Sequence, residues 1–211
     1  MIKVLTLKDF KVSAWSGGTT TQLFIYPTTA NYAERNFIFR LSTATVDVNR
    51  SDFTVLPDVT RYIMPLTSPF TLTHDGNPPV FLEVTKPHKF DGGAKTVCEG
   101  SGKDFNLMLK SADGNMLFTD KITVADNDFC FVYAQTDLTA KIDFLPQTKT
   151  QTVFLPTDSL LVVTDKFASI TLSLPCPVAT VKLCPLRLFL KAFRAVFYKN
   201  RLRLSCQATA R

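Results

Sequence analysis

Apolar and polar positions alternate along much of this chain with a period of two, over short stretches of four to nine residues at a time. Residues 2–7, 20–26, 37–44, 62–66, 70–74 and 80–84 are rich in β-branched and aromatic side chains. The same texture returns at 129–134, 152–155, 159–163, 169–174 and 178–183. Turn-forming strings separate these runs: Ser16-Gly17-Gly18, Asp75-Gly76-Asn77-Pro78-Pro79 and Asp91-Gly92-Gly93. Asp75-Gly76 between two apolar runs predicts a hairpin, because both residue types tolerate the positive φ of a tight turn. Closely spaced strands with intervening turns predict an all-β, antiparallel barrel or sandwich. No long helical patterns alternate with the strands, which argues against a parallel α/β fold. Residues 110–121 are polar and turn-rich around Asp113-Gly114-Asn115, and predict a boundary between two β units, roughly 1–110 and 111–184.

Beyond residue 184 the period changes. Leu190, Phe193 and Phe197 recur at helical spacing, with Arg187, Lys191 and Arg194 on another side. Residues 185–203 therefore predict a basic amphipathic helix within a tail, 185–211. It would pack on the body, on another subunit or on an anionic surface. Charge is divided in the same way. Nine of the 24 basic residues lie beyond Asp165, where no acidic residue occurs, so the net charge of +6 hides a mildly acidic body. The whole-chain charge thus gives no ground for expecting a specific nucleic-acid partner.

The five cysteines, Cys98, Cys130, Cys176, Cys184 and Cys206, form no C-x-x-C pair and read as small buried residues in a reducing compartment. Neither a signal-peptide pattern nor an apolar run of membrane-spanning length is present, and a cytoplasmic protein is expected. The 18 phenylalanines are spread over strand-like segments and are expected to be mostly core.

Three clusters are candidates for chemistry. In the first, Trp15, Thr19 and Thr20 surround Gly17-Gly18, offering hydroxyls at a strand entrance and an aromatic wall. In the second, period two puts Arg40, Ser42 and Ala44 on one face of a strand and Phe39, Leu41 and Thr43 on the other. An inward-facing arginine there would recognise a carboxylate through two parallel hydrogen bonds. Arg61, after Pro57-Asp58-Val59-Thr60 and before an apolar strand, is placed similarly. In the third, Thr96 follows a glycine turn, and Asp104 and Asn106 share one face of a strand whose other face carries Phe105 and Leu107. Each cluster has a purely structural alternative: a turn, a surface ion pair, or side chains that satisfy backbone donors.

No metal site, cofactor or catalytic residue is expected. His74 and His88 are placed on opposite sides of a likely strand, without an H-x-H or H-E-x-x-H spacing, although Glu83 could join them. No G-x-S-x-G elbow, Walker loop or dinucleotide fingerprint occurs.

Together these clusters resemble the HutD/Ves family over roughly residues 1–110, most specifically in Trp15-Ser16-Gly17-Gly18-Thr19-Thr20 and Asp104-Phe105-Asn106-Leu107-Met108. The resemblance implies a cupin-type β-barrel, with two barrel-like halves in one compact unit and a small pocket suited to an anionic metabolite. It also implies a regulatory binding role, in some bacteria linked to histidine utilisation. Asp58 and Ser68 stand where the family pattern has glycines, and the basic tail has no counterpart. The leading reading is a binding protein for a small carboxylate, using Trp15, Thr19, Thr20, Arg40, Ser42, Arg61, Thr96, Asp104 and Asn106. The alternative is a cupin-fold enzyme, such as an isomerase or a metal-dependent oxygenase.

Overall fold

A computed structural model describes residues 2–125, 128–146, 149–164 and 169–184. The first half contains β1 (Ile2–Leu5), β2 (Lys11–Trp15), β3 (Gly18–Tyr26), β4 (Phe39–Val46), β5 (Arg50–Asp52) and β6 (Thr60–Pro65). It continues with β7 (Phe70–His74), β8 (Val80–Leu82), β9 (His88–Asp91), β10 (Thr96–Glu99) and β11 (Gly102–Leu109). The second half contains β12 (Asp113–Ala125), β13 (Phe129–Ala134), β14 (Leu138–Leu145), β15 (Lys149–Leu155), β16 (Ser159–Val163) and β17 (Ser169–Cys184). One short 3-10 turn, Leu7–Asp9, follows β1.

All pairings between these strands are antiparallel, in three sheets. A six-stranded sheet runs β2-β3-β4-β11-β6-β9, and a four-stranded sheet runs β5-β10-β7-β8. The seven-stranded sheet runs β1-β16-β13-β17-β14-β15, with β12 along the other side of β17. The fold is an all-β cupin-type arrangement of two barrel-like halves. β1 breaks the simple division, because it pairs with β16 at the edge of the second half's sheet.

Period-two alternation explains how the layers hold together. Along β13, Phe129, Phe131 and Tyr133 join a core shared between the halves, while Cys130, Val132 and Ala134 fill the second barrel. Along β11, Phe105, Leu107 and Leu109 enter the shared core and leave Asp104, Asn106 and Met108 on the face that lines the first barrel. Phe105 stacks on Tyr133 at 5.5 Å between centroids, and Phe24 and Phe39 meet Phe131 at 5.1 and 5.7 Å. Such aromatic pairs contribute roughly 0.5–1.5 kcal/mol each beyond area burial. A polar tie reinforces this contact: Lys103 reaches Asp158 at 2.5 Å, and the Tyr133 hydroxyl donates to the same carboxylate. The second barrel is packed with aliphatic side chains from Ile122 to Val178. The first has an apolar end around Ile63, Phe70, Leu72, Leu82 and Cys98, and a polar interior beyond it.

The predicted hairpin is present. Asp75 and Gly76 take φ of 50° and 73°, Asn77 donates its N–H to the His74 carbonyl, and β7 pairs with β8. Two expectations are corrected. Residues 110–121 are not a turn-rich connection: the 13-residue β12 runs through them, paired with β17 from Asp113↔Cys184 onward. Its polar side chains occupy the outward positions of a strand held by its backbone ladder, so their polarity did not signal a loop. The separate segments 169–174 and 178–183 are one strand, β17. Pro175 and Pro177 stand where β17 changes partner from β14 to β13, opposite an irregularity between Thr119 and Lys121, so their missing N–H groups interrupt no regular ladder. Cys98 and Cys130 are buried, as expected of small apolar residues, whereas Cys176 is exposed. The tail helix lies outside the described residues. Among the described residues no helix is long and apolar enough to cross a membrane.

Candidate functional site

The polar interior of the first barrel holds a cavity of about 420 Å³ that is partly open to solvent. Seven of the nine residues singled out from the sequence line it: Trp15, Thr20, Arg40, Ser42, Arg61, Asp104 and Asn106. Strand register brings them together. Thr20 pairs with Ala44, Gln22 and Asn106 both pair with Ser42, and Met108 lies between Arg40 and Arg61. Side chains one step along, such as Leu41, Phe105 and Leu107, enter the shared core instead. Thr19 falls on that other phase; it pairs with Thr45, is exposed and does not line the cavity. Thr96 is buried outside the cavity wall and binds His74.

Arg40 is held on all sides. Its Nε donates to Gln22 Oε1 at 2.9 Å and its Nη1 to Ser42 Oγ at 3.2 Å, while the guanidinium lies 4.2 Å from the Tyr32 ring centre. Burial pulls its pKa down to about 10, with Tyr32 opposing the shift, so it stays charged at neutral pH. Arg61 is different. It is only 6% exposed, its Nη1 makes one long contact with the Thr54 carbonyl at 3.4 Å, and its buried Nε has no hydrogen-bond partner. The guanidinium lies 4.8 and 5.1 Å from the Phe53 and Phe90 ring centres. Gly92 permits this seat, because a Cβ there would stand 2.6 Å from the Val59 carbonyl and 3.1 Å from Arg61 Cδ. The loop before Arg61 also keeps its turn: Asp58, where the family resemblance led us to expect glycine, adopts φ of 61°, a conformation aspartate tolerates.

Asp104 is 2% exposed and accepts a hydrogen bond from Asn106 Nδ2. Burial pushes its pKa up to about 7, against the opposing pull of Arg61 and the Ala44 backbone. At the rim, the Trp15 ring lies over Gly17, where a Cβ would stand 2.1 Å from it. Two buried guanidiniums thus face one partly protonated carboxyl, and the cavity interior favours an anion.

Sequence reasoning missed Gln22, Tyr32 and Phe53. Gln22 carried a usable signal, since it lies two residues beyond Thr20 on the same strand face. Tyr32 and Phe53 sit outside the regular strands and had none.

The histidines also need correcting. They were expected on opposite sides of one strand, but His74 is on β7 and His88 on β9, in different sheets, and their Nε2 atoms are 3.0 Å apart. The ring centroids are 5.2 Å apart with planes at 19°, so the rings meet nitrogen to nitrogen, one donating and one accepting. His74 Nδ1 is 2.8 Å from Thr96 Oγ1, and the His74 ring centre lies 4.8 Å from that of Phe90. Burial lowers the pKa of both imidazoles; for His74 it is opposed by Asp75 and reinforced by Arg61, and for His88 it is reinforced by His74. Among the described residues no three or more His, Cys, Asp or Glu side chains are grouped to hold a metal ion.

Solved structures similar to this one include HutD from Pseudomonas fluorescens SBW25, in a formate condition. It is 20% identical, with 88% of this chain and 100% of that one covered and a TM-score of 0.70. PA5104 from Pseudomonas aeruginosa PAO1, described as a protein of unknown function, is 18% identical over 87% and 97% of the two chains, with a TM-score of 0.69. The oxalate decarboxylase of Lactobacillus farciminis, as a formate complex, shares the fold at 6% identity over 87% and 86%, with a TM-score of 0.56. No match is found among curated proteins. The HutD family model matches residues 7–180, most of the length, and the chain therefore belongs to the HutD family.

Proposed function

We propose that this protein binds a small carboxylate-bearing metabolite in the cavity of its first barrel, and acts as a regulatory binding protein rather than as a catalyst. The observation that carries this reading is the buried Arg61 guanidinium on the cavity wall, whose Nη1 makes one long contact with the Thr54 carbonyl. A carboxylate entering the cavity would accept charge-assisted hydrogen bonds from that guanidinium, about twice as strong as neutral ones. Arg40 supplies a second positive charge in a rigid setting, and Thr20, Ser42 and Asn106 offer neutral polar contacts. The family name fits a link to histidine utilisation, with an intermediate of that pathway as the ligand class to try first. A cytoplasmic location agrees with that role.

Thermal-shift and calorimetric titration with a panel of small carboxylates tests the proposal. A ligand that binds only the folded state stabilises it by mass action, by about 2.7 kcal/mol at a hundredfold excess over Kd, and so raises the melting temperature. The expected result is stabilisation by at least one carboxylate and its loss in Arg61→Met. If no carboxylate stabilises the protein, or if Arg61→Met keeps full stabilisation, the cavity is not a carboxylate site.

A further inference from the structure

Asp104 shares its cavity with Arg61, which the carboxylate reading assigns to the ligand. We propose that the cavity takes up a proton together with its anion, on the Asp104 carboxyl, so that carboxylate affinity falls as pH rises. This rests on the carboxylate-binding reading above.

The geometry supplies the reasons. Asp104 lines the same cavity as Arg61 and is only 2% exposed at its wall, so an anion paired with Arg61 would lie on the side of the cavity they share. Its hydrogen-bond donors are neutral, the Asn106 amide and the Ala44 backbone N–H, whereas the cation that favours its ionised form is Arg61. An anion paired with Arg61 draws on the same positive charge, adds a negative charge beside Asp104 and displaces water from the cavity. All three effects favour the protonated carboxyl, as when two carboxylates share one site. The proton comes from solvent, and the neutral Asp104 carboxyl then donates its O–H to the bound carboxylate. Charge balance fits: the empty cavity holds two guanidiniums and one ionisable buried carboxyl, and the filled one holds two guanidiniums, one ligand carboxylate and one neutral acid.

The other groups around Asp104 do not replace it in this role. Arg40 on β4 and Arg61 on β6 carry guanidiniums, which are not deprotonated in proteins, and Cys98 on β10 is held protonated by burial, its pKa pushed up to about 12. Asp52 at the end of β5 is exposed at the rim, Tyr32 is engaged by the arginines, and His74 and His88 on β7 and β9 are engaged with each other.

Trp15, the only tryptophan, lines the cavity and provides the readout. The full chain is titrated with sodium acetate, at constant ionic strength, from about pH 6 to about pH 9. Proton uptake on adding acetate is followed in parallel by pH-stat. In the native protein the acetate Kd should rise towards tenfold per pH unit above about pH 7, with up to one proton taken up per acetate bound. In Asp104→Asn the profile should be flat and uptake absent. Acetate binding with a pH-independent Kd and no proton uptake in the native protein overturns the inference and leaves the carboxylate reading standing. Failure of acetate, and of every other carboxylate in the panel above, to bind at any pH overturns both. The native pH profile and the pH-stat measurement do not depend on whether Asp104→Asn folds.

Discussion

Replacing Arg61 by methionine separates a ligand-binding arginine from a structural one. In the unliganded protein Arg61 contributes one long hydrogen bond to Thr54 and contacts to Phe53 and Phe90, and it carries a buried charge with an unpartnered Nε. Loss of two cation–π contacts costs about 1–2 kcal/mol. Methionine, with nearly the same length, recovers roughly 0.3–1.5 kcal/mol against the same rings. Removing the orphaned donor returns about 1–3 kcal/mol, and removing the desolvated charge adds to that. Loss of Arg61 also withdraws support from ionised Asp104, which that carboxyl can meet by taking a proton. The net expectation is a variant within about 1 kcal/mol of the native protein, or more stable. For 211 residues, at about 2.1 cal/mol/K per residue, 1 kcal/mol corresponds to roughly 2–3 °C in Tm. Calorimetry without and with carboxylate reads both effects. A fall of more than about 6 °C in the unliganded protein would show that Arg61 holds the barrel together, and the argument from its unmet donor would fail.

Asp104→Asn should stabilise the unliganded protein at high pH and leave it unchanged at low pH. The folded-state pKa of about 7 lies above the ordinary 3.8, so the folded state binds the extra proton between those values and stability falls as pH rises through them. The full cost above pH 7 is roughly 4 kcal/mol, and denaturant titrations at about pH 4 and pH 8 should show it disappear in the variant. The His74–His88 pair has the opposite sign: both pKa values are lowered in the fold, so the unfolded chain takes protons first as pH falls from about 6.5, and stability declines with acidification. His88→Phe should flatten that decline, and an unchanged acid limb would show that the pair does not contribute to it. Gly18→Ala should destabilise by several kcal/mol, because a Cβ there would stand 1.9 Å from the Thr45 carbonyl and φ is +150°. A native-like melting temperature for that variant would contradict the close approach of β3 and β4.

Alternation along single strands was legible in the sequence, because period-two sidedness is a local property of the backbone. Arg40 with Ser42, and Asp104 with Asn106, were assigned to shared faces in this way, and each pair does line the cavity wall. The hairpin at Asp75-Gly76 was legible for the same local reason, and the HutD resemblance supplied the barrel class. Residues outside regular strands, such as Tyr32 and Phe53, could not be assigned, since their positions depend on loops that only the assembled barrel fixes. The exclusion of Thr19 depended on the β3–β4 register, and β12 was obscured because a strand exposed on one face carries polar residues at half its positions. The meeting of His74 with His88 required the two sheets of the first barrel to close on each other. Sequence alone therefore determined which side chains share a face. Tertiary structure decided which faces meet, and with that which buried arginine is left without a partner, because satisfaction of a buried donor depends on every surrounding group at once.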